Sequence, residues 1–214
     1  MARILIVGAS RGTGLETVRK ALAAGHRVRA LARSASSIPI ENERLERITG
    51  DATDRTALLN ALEGVDTVIV TLGIPPSLGA AMSGTRLFST ATRALIDAMK
   101  ERGVRRLVVI TGIGAGDSRG HGGPLYDWLV FPLLLKRVYD DKDVQEQMIR
   151  QSGLDWTIVR PGLLTNGPET GRYRTLLDPA QWSAGQISRA DVADFLVKEA
   201  TGPRFTGRTP VLVG

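Results

Sequence analysis

The sequence predicts an α/β fold of a single domain, built on a doubly wound parallel sheet. Three observations predict it. Short, continuous apolar runs alternate with helix-period segments along the whole chain. Runs of that kind read as strands buried on both faces, as parallel strands under two helical layers must be. No repeat or low-complexity linker divides the 214 residues, a length that suits one substantial core.

The elements follow in order. "RILIV" (residues 3–7) is the first strand, and "GLETVRKALAAG" is a helix with Leu15, Val18 and Leu22 on one face and Gly25 as its stop. "HRVRALA" and "LERIT" are the second and third strands, the latter running out at Gly50-Asp51. Asp54 can cap the helix "RTALLNALEG", which Gly64 closes. "DTVIVTLG" is the fourth strand, "GTRLFSTATRALIDAMKERG" a long helix ended by Gly103, and "VRRLVVITG" the fifth strand. A glycine-rich loop leads to the helical "VYDDKDVQEQMIRQSG" and the strand "DWTIVRPG". The helix "SRADVADFLVKEA", with Ser188 as cap, and the strand "TPVLV" complete the pattern. Repeated β-α-β units imply right-handed crossovers, with ligands bound at the carboxyl ends of the strands.

Composition narrows the chemistry. Hydrophobic residues make up 43% and charged residues 23%, ordinary for a globular chain, and cysteine is absent, which removes disulfides and thiol catalysis. The net charge is +6, but the basic residues are scattered, so the charge points to anionic small molecules rather than nucleic acid. "WLVFPLLL" (residues 128–135) is too short to span a bilayer and contains Pro132. The N-terminus enters a strand directly without a leader pattern, so the expectation is a cytoplasmic protein. No His, Asp or Glu cluster has metal-ligand spacing, and no metal site is expected.

The stretch "GASRGTG" (residues 8–14) joins the first strand to the first helix. Gly8 can make the tight turn out of the strand, while Gly12 and Gly14 allow close backbone approach and close helix–strand packing. The helix N-terminus adds free N–H groups and a positive dipole end, a ready anion site. Together with the alternation that follows, this reads as the dinucleotide turn of a Rossmann-type sheet. A site preferring NADH would carry an acid at the end of the second strand. Here Arg33 and Ser34 stand there, and no acid follows until Glu41. Arg33 and Arg11 can together hold a 2′-phosphate, so NADP(H) is the expected cofactor.

These motifs, with "GDATD" (50–54), "GVDTVIVTLG" (64–73), "VRRLVVITGIG", "SGLDWTIVRPGLLT" (152–165) and "ISRADVADFL", resemble the atypical branch of the short-chain dehydrogenase/reductase superfamily: its NAD(P)H-binding, NmrA-like and flavin/biliverdin-reductase-like members. The resemblance covers essentially the whole chain. It implies that Ser10 and Thr13 join the phosphate turn, and that Asp51 and Ala52 lie beside the adenine. It implies that Thr71, Leu72 and Gly73 run along the adenine ribose and pyrophosphate. Thr111 would stand near the nicotinamide, with Pro161, Gly162 and Leu163 bordering nicotinamide and substrate. Asp51 can equally act as a loop cap.

The superfamily's usual proton donor is the tyrosine of Tyr-x-x-x-Lys, assisted by Ser or Thr at the end of the fifth strand. Tyr126 is followed at that spacing by Val130, and Tyr139 meets Lys142 one residue early, about 100° around the helix from the usual direction. Thr111, Tyr139 and Lys142 are therefore the catalytic candidates, and Lys142 has the further option of reaching the cofactor. A hydride acceptor that takes its proton from solvent fits this pattern: a small planar flavin, quinone or tetrapyrrole. The substrate region would form from loops 73–84, 112–135 and 161–182, with Ile74, Pro75, Pro76, the 128–135 stretch and Leu163 as its apolar wall. The loop 112–124, with six glycines, could serve as a lid and His121 as a proton donor. The expected partner is a small-molecule acceptor, with the protein a monomer or homodimer. The alternative is a non-catalytic NADP(H)-binding redox sensor, which the same fold would serve. An epimerase or dehydratase ranks below both, because the chain is short for an added substrate domain.

Overall fold

The computed structural model describes residues 1–74, 86–121, 136–183 and 185–214. Among them the order is β1 (Arg3–Val7), α1 (Gly12–Ala23), β2 (Arg27–Ala32), β3 (Leu45–Thr49), α2 (Arg55–Ala61), β4 (Thr67–Val70), α3 (Leu87–Arg102), β5 (Arg106–Ile110), α4 (Lys136–Arg150), β6 (Asp155–Pro161), β7 (Leu163–Thr165), β8 (Arg174–Leu176), β9 (Gln186–Ser188), α5 (Arg189–Thr201) and β10 (Val211–Val213).

One eight-stranded sheet runs β3-β2-β1-β4-β5-β6-β10-β8. It is parallel throughout except for β8, which pairs antiparallel to β10 at the edge. The Rossmann-type doubly wound sheet expected from the sequence is present, with an antiparallel edge strand added to it. Strand alternation sorts the core. Ile4 and Ile6 of β1 face one layer with Val18 and Leu22 of α1 and Val192, Phe195 and Leu196 of α5. Leu5 and Val7 face the other layer with Leu58 of α2, Leu95 and Met99 of α3 and Ile149 of α4. Side chains such as Ile4, Leu5, Ile6 and Leu107 are fully buried, each worth roughly 1.5–3 kcal/mol of transfer free energy.

The caps read from the sequence act as expected: Asp54 accepts from the Thr56 N–H at 2.9 Å and Ser188 from the Asp191 N–H at 2.9 Å. The last strand begins at Val211 rather than Thr209. A small parallel sheet, β7 with β9, was not foreseen, since three residues carry no legible period. Pro75, Pro76, the 128–135 stretch and Tyr126 lie outside the described residues, as do parts of loops 73–84 and 112–135. Among the described residues no helix is long and apolar enough to cross a membrane.

Candidate functional site

The sheet order reverses between β1 and β4, and the carboxyl ends of the strands open there into a cleft of about 780 Å³. Because β2 and β3 lie on one side of β1, and β4, β5 and β6 on the other, the cleft is an elongated trough. Arg33 and Asp51 follow β2 and β3 at one end, and Thr111 and Pro161 follow β5 and β6 at the other.

Between them lies the turn from β1 into α1. Gly8 has φ +88°, and a Cβ there would stand 3.0 Å from the backbone of Thr71 and Leu72. At Gly14 a Cβ would stand 2.2 Å from the Gly8 carbonyl oxygen and 2.7 Å from Thr71 Oγ1, so only glycine lets α1 start this close to β1. Gly14 therefore sits behind the cleft, while Gly8, Ser10, Arg11, Gly12 and Thr13 line it. Arg11 occupies the N-cap position with extended backbone and makes no side-chain cap, and the first turn of α1 holds no acid. The helix's leading N–H groups and positive end thus face the cleft uncompensated. A glycine cradle, an open helix N-terminus and two exposed arginines together fit a dinucleotide phosphate chain.

Further along the trough, Ala52, Thr71, Leu72, Gly73, Pro161 and Gly162 line the wall. Thr71 Oγ1 donates to the Val7 carbonyl at 3.0 Å, pinning β4 to the end of β1. Asp51 Oδ1 accepts from both the N–H (2.8 Å) and the hydroxyl (2.7 Å) of Thr53. These bonds, with Arg33 nearby, hold its carboxyl below the usual carboxylate range. The loop cap weighed for Asp51 is therefore made, on one of its two oxygens. Leu163 departs from expectation. Its side chain is turned out, the residue 63% exposed, and the neighbouring Leu164 lines the cleft in its place, since successive residues of β7 point to opposite faces.

At the far end the three catalytic candidates meet. Tyr139, Lys142 and Thr111 all line the cleft. The Lys142 ammonium donates to the Thr111 carbonyl oxygen and lies 5.4 Å from the Tyr139 ring centroid and 5.0 Å from that of Phe88. The i, i+3 spacing thus sets the ammonium beside the tyrosine ring, and the Tyr139 hydroxyl packs against Gly112, where a Cβ would meet it at 2.8 Å. Burial lowers the Lys142 amine to about 8, against the pull of the Glu146 carboxylate.

Behind these groups lies a network that the sequence reading missed. Thr111 Oγ1 donates to Glu146 Oε1 at 2.7 Å, and Arg160 reaches the same carboxylate through Nε (3.0 Å) and Nη2 (2.5 Å). Arg160 Nη1 also contacts Asp117 at 2.6 Å. With its proton committed to Glu146, the Thr111 hydroxyl can only accept from a ligand. The signal available was an arginine inside the apolar strand "DWTIVRPG", which demands a buried acid.

The glycine-rich loop is tied down over its described part. Gly116 N donates to Asp143 at 2.6 Å, Arg119 pairs with Asp143 at 2.6 Å, and Gly114 N donates to Ser118 Oγ at 3.0 Å. His121 is absent from the cleft wall and packs edge-on against Trp182 at 5.4 Å. Arg189, unremarked in the sequence, does line the cleft. No group of three or more metal-ligating side chains occurs among the described residues.

The chain matches the NAD(P)H-binding family over residues 8–203. It is similar to the sterol demethylase protein B of Methylococcus capsulatus, 33% identical over 190 residues, which are 81% of this chain and 56% of that protein. It is also similar to the NAD(P)H azoreductase of Xenophilus azovorans, 31% identical over 160 residues, covering 74% of this chain and 47% of that one. The chain therefore spans about half the length of these two relatives. Among solved structures, ChuY, an anaerobillin reductase from Escherichia coli O157:H7, superposes with a TM-score of 0.79 and 26% identity over 99% of this chain and 96% of that one. A glycine-cradled turn, a strand-end trough and a family match spanning nearly the whole sequence agree, and the chain belongs to the NAD(P)H-binding family.

Proposed function

We propose that this protein is an NADPH-dependent oxidoreductase that reduces a small planar acceptor of flavin, quinone or tetrapyrrole type. One observation carries the reading. A single trough holds Arg33, where an acid would select NADH, at one end, and Lys142, Tyr139 and Thr111 together at the other. The azoreductase and anaerobillin reductase among its relatives support reduction of a planar acceptor.

When bound, the nicotinamide dinucleotide supplies the hydride. The chain's own residues do the rest. Arg33 and Arg11 hold the 2′-phosphate, the open end of α1 and the turn at Gly12 hold the pyrophosphate, and Asp51 borders the adenine. Ile74, Leu87, Ile110 and Leu164 give the trough its apolar wall and exclude water from one face of the acceptor. Lys142 Nζ holds the proton that the reduced acceptor needs, and its lowered affinity for that proton suits delivery near neutral pH. Glu146 fixes the Thr111 hydroxyl, and Thr111 fixes Lys142 through its carbonyl.

The test is oxidation of NADPH and of NADH, followed by absorbance, with a panel of flavins, quinones, azo dyes and linear tetrapyrroles. Turnover with NADPH at least tenfold above NADH is expected, and Arg33→Ala should remove the preference. Tight NADPH binding with no turnover on any acceptor would replace this reading with that of a cofactor sensor.

A further inference from the structure

Arg189 is the first residue of α5, directly after the cap Ser188. A cation there opposes the helix dipole, which favours acids in the first turn. Local rules broken in this way mark functional positions. The guanidinium is partly buried and lines the trough beside Arg11, Gly12 and Thr13. Its Nε lies 3.7 Å from the point where a Cβ on Gly12 would stand, so it faces the middle of the phosphate turn. Its hydrogen-bond partners among the described residues are neutral: Asn166 Oδ1 at 2.7 Å and the Leu164 carbonyl at 3.5 Å, both to Nη1. No carboxylate pairs with it among the described residues. The helix that carries it is locked to α1: Lys20 of α1 pairs with Asp194 of α5 at 2.8 Å, and both helices share one core cluster.

We infer that Arg189 is a cofactor-binding residue that holds the pyrophosphate from beside Gly12, with Asn166 as the residue that positions it. The inference rests on the dinucleotide occupying the trough. Arg33 and Arg11 lie where NADH and NADPH differ, whereas Arg189 faces what they share. The three arginines therefore divide into selectors of the phosphate and a holder of the common chain. A fork of donors on an oxyanion suits arginine better than lysine.

Equilibrium titration of NADPH, NADH, ADP-ribose and 2′-AMP, by intrinsic fluorescence or calorimetry, tests this on the wild type and on Arg189→Gln, Arg189→Lys and Asn166→Ala. Arg189→Gln should weaken NADPH, NADH and ADP-ribose by the same factor, about 10- to 100-fold, the loss of a charge-assisted hydrogen bond. It should leave 2′-AMP, which lacks the pyrophosphate, unchanged. Arg189→Lys should recover part of the loss, and Asn166→Ala should lose less, in the same ratio. Thermal melts of each variant identify any misfolded protein, and the lysine and Asn166 variants then carry the test. Unchanged dinucleotide affinity in Arg189→Gln overturns the inference while leaving the cofactor reading intact. So does a change in the NADPH/NADH ratio, or a raised acceptor KM with unchanged cofactor affinity. A wild type that binds neither dinucleotide overturns both.

Discussion

Removing Glu146 should expose how much of the fold hangs on one buried charge. Arg160 is fully inaccessible and Glu146 is 2% exposed, so solvent screens their contact little. Glu146→Leu leaves the guanidinium with Asp117 as its remaining acid partner, whose side chain is 61% exposed. Breaking a buried pair from one side costs about 3–5 kcal/mol. A chain of this length unfolds with an entropy of about 0.45 kcal/mol/K, so Tm should fall by about 7–11 °C. The double variant Glu146→Leu/Arg160→Met removes both charges and keeps the volume. It should recover to within about 1–2 kcal/mol of the wild type, the residue being the orphaned Thr111 hydroxyl. Calorimetric melts of the wild type, both single variants and the double variant complete the cycle. If Glu146→Leu melts within 2 °C of the wild type, or if the double variant melts no higher than the worse single, the pair does not carry the energy assigned to it.

Three further outcomes are expected. Gly14→Ala forces a Cβ to 2.2 Å from the Gly8 oxygen, so it should lose about 1–3 kcal/mol and weaken NADPH binding more than tenfold by titration, while Gly73→Ala, with nothing within 4 Å of its Cβ position, should keep its Tm. Acceptor kcat/KM should hold steady to about pH 7 and fall above about pH 8 as Lys142 gives up its proton, and Lys142→Met should lose about 100-fold or more and abolish that limb; a profile unchanged to pH 9.5 removes Lys142 as donor. Asp191 and Asp194 are held below the usual carboxylate range, Asp191 by the Gly171 and Thr170 N–H groups and the Ser188 hydroxyl, and Asp194 by Lys198 and Lys20. A lowered folded pKa gives stability that is present above the unfolded value near 3.9 and lost as pH falls through the folded one. The Tm difference between the wild type and Asp191→Asn should therefore be flat from pH 8 to 5, with Asp191→Asn the lower, and should close below about pH 4.

The sheet was legible because parallel strands under two helical layers read as unbroken apolar runs; β1, β3 and β6 fall at or within a residue of where those runs lie. Cap and stop residues fixed the helices by local chemistry, which needs no tertiary partner. β7, β8 and β9 are three residues each and exist through pairing with distant segments, so no local period announces them. The same split holds at the site. The phosphate turn and Arg33 declare themselves by position in a motif. Glu146 and Arg160 become partners only when α4 lies across β6, and Arg189 joins the cleft only when α5 docks on α1. Leu163 and Leu164 exchanged places because a single residue of register in β7 reverses which side chain faces inward.

β10 sits inside the sheet rather than on its rim, between β6 and β8. The Gly162 N–H donates to Leu212 at 2.9 Å, so a wall of the cleft hangs on residues that leave the ribosome after almost everything they bind. The six strands from β3 to β6 can assemble in order of synthesis, whereas β6 must wait with an open edge. An open edge of this kind is a template for foreign strands. A chain cut before Val211 would therefore present a finished phosphate turn beside an unfinished acceptor wall. Such a species would pair with other copies through the bare edge of β6.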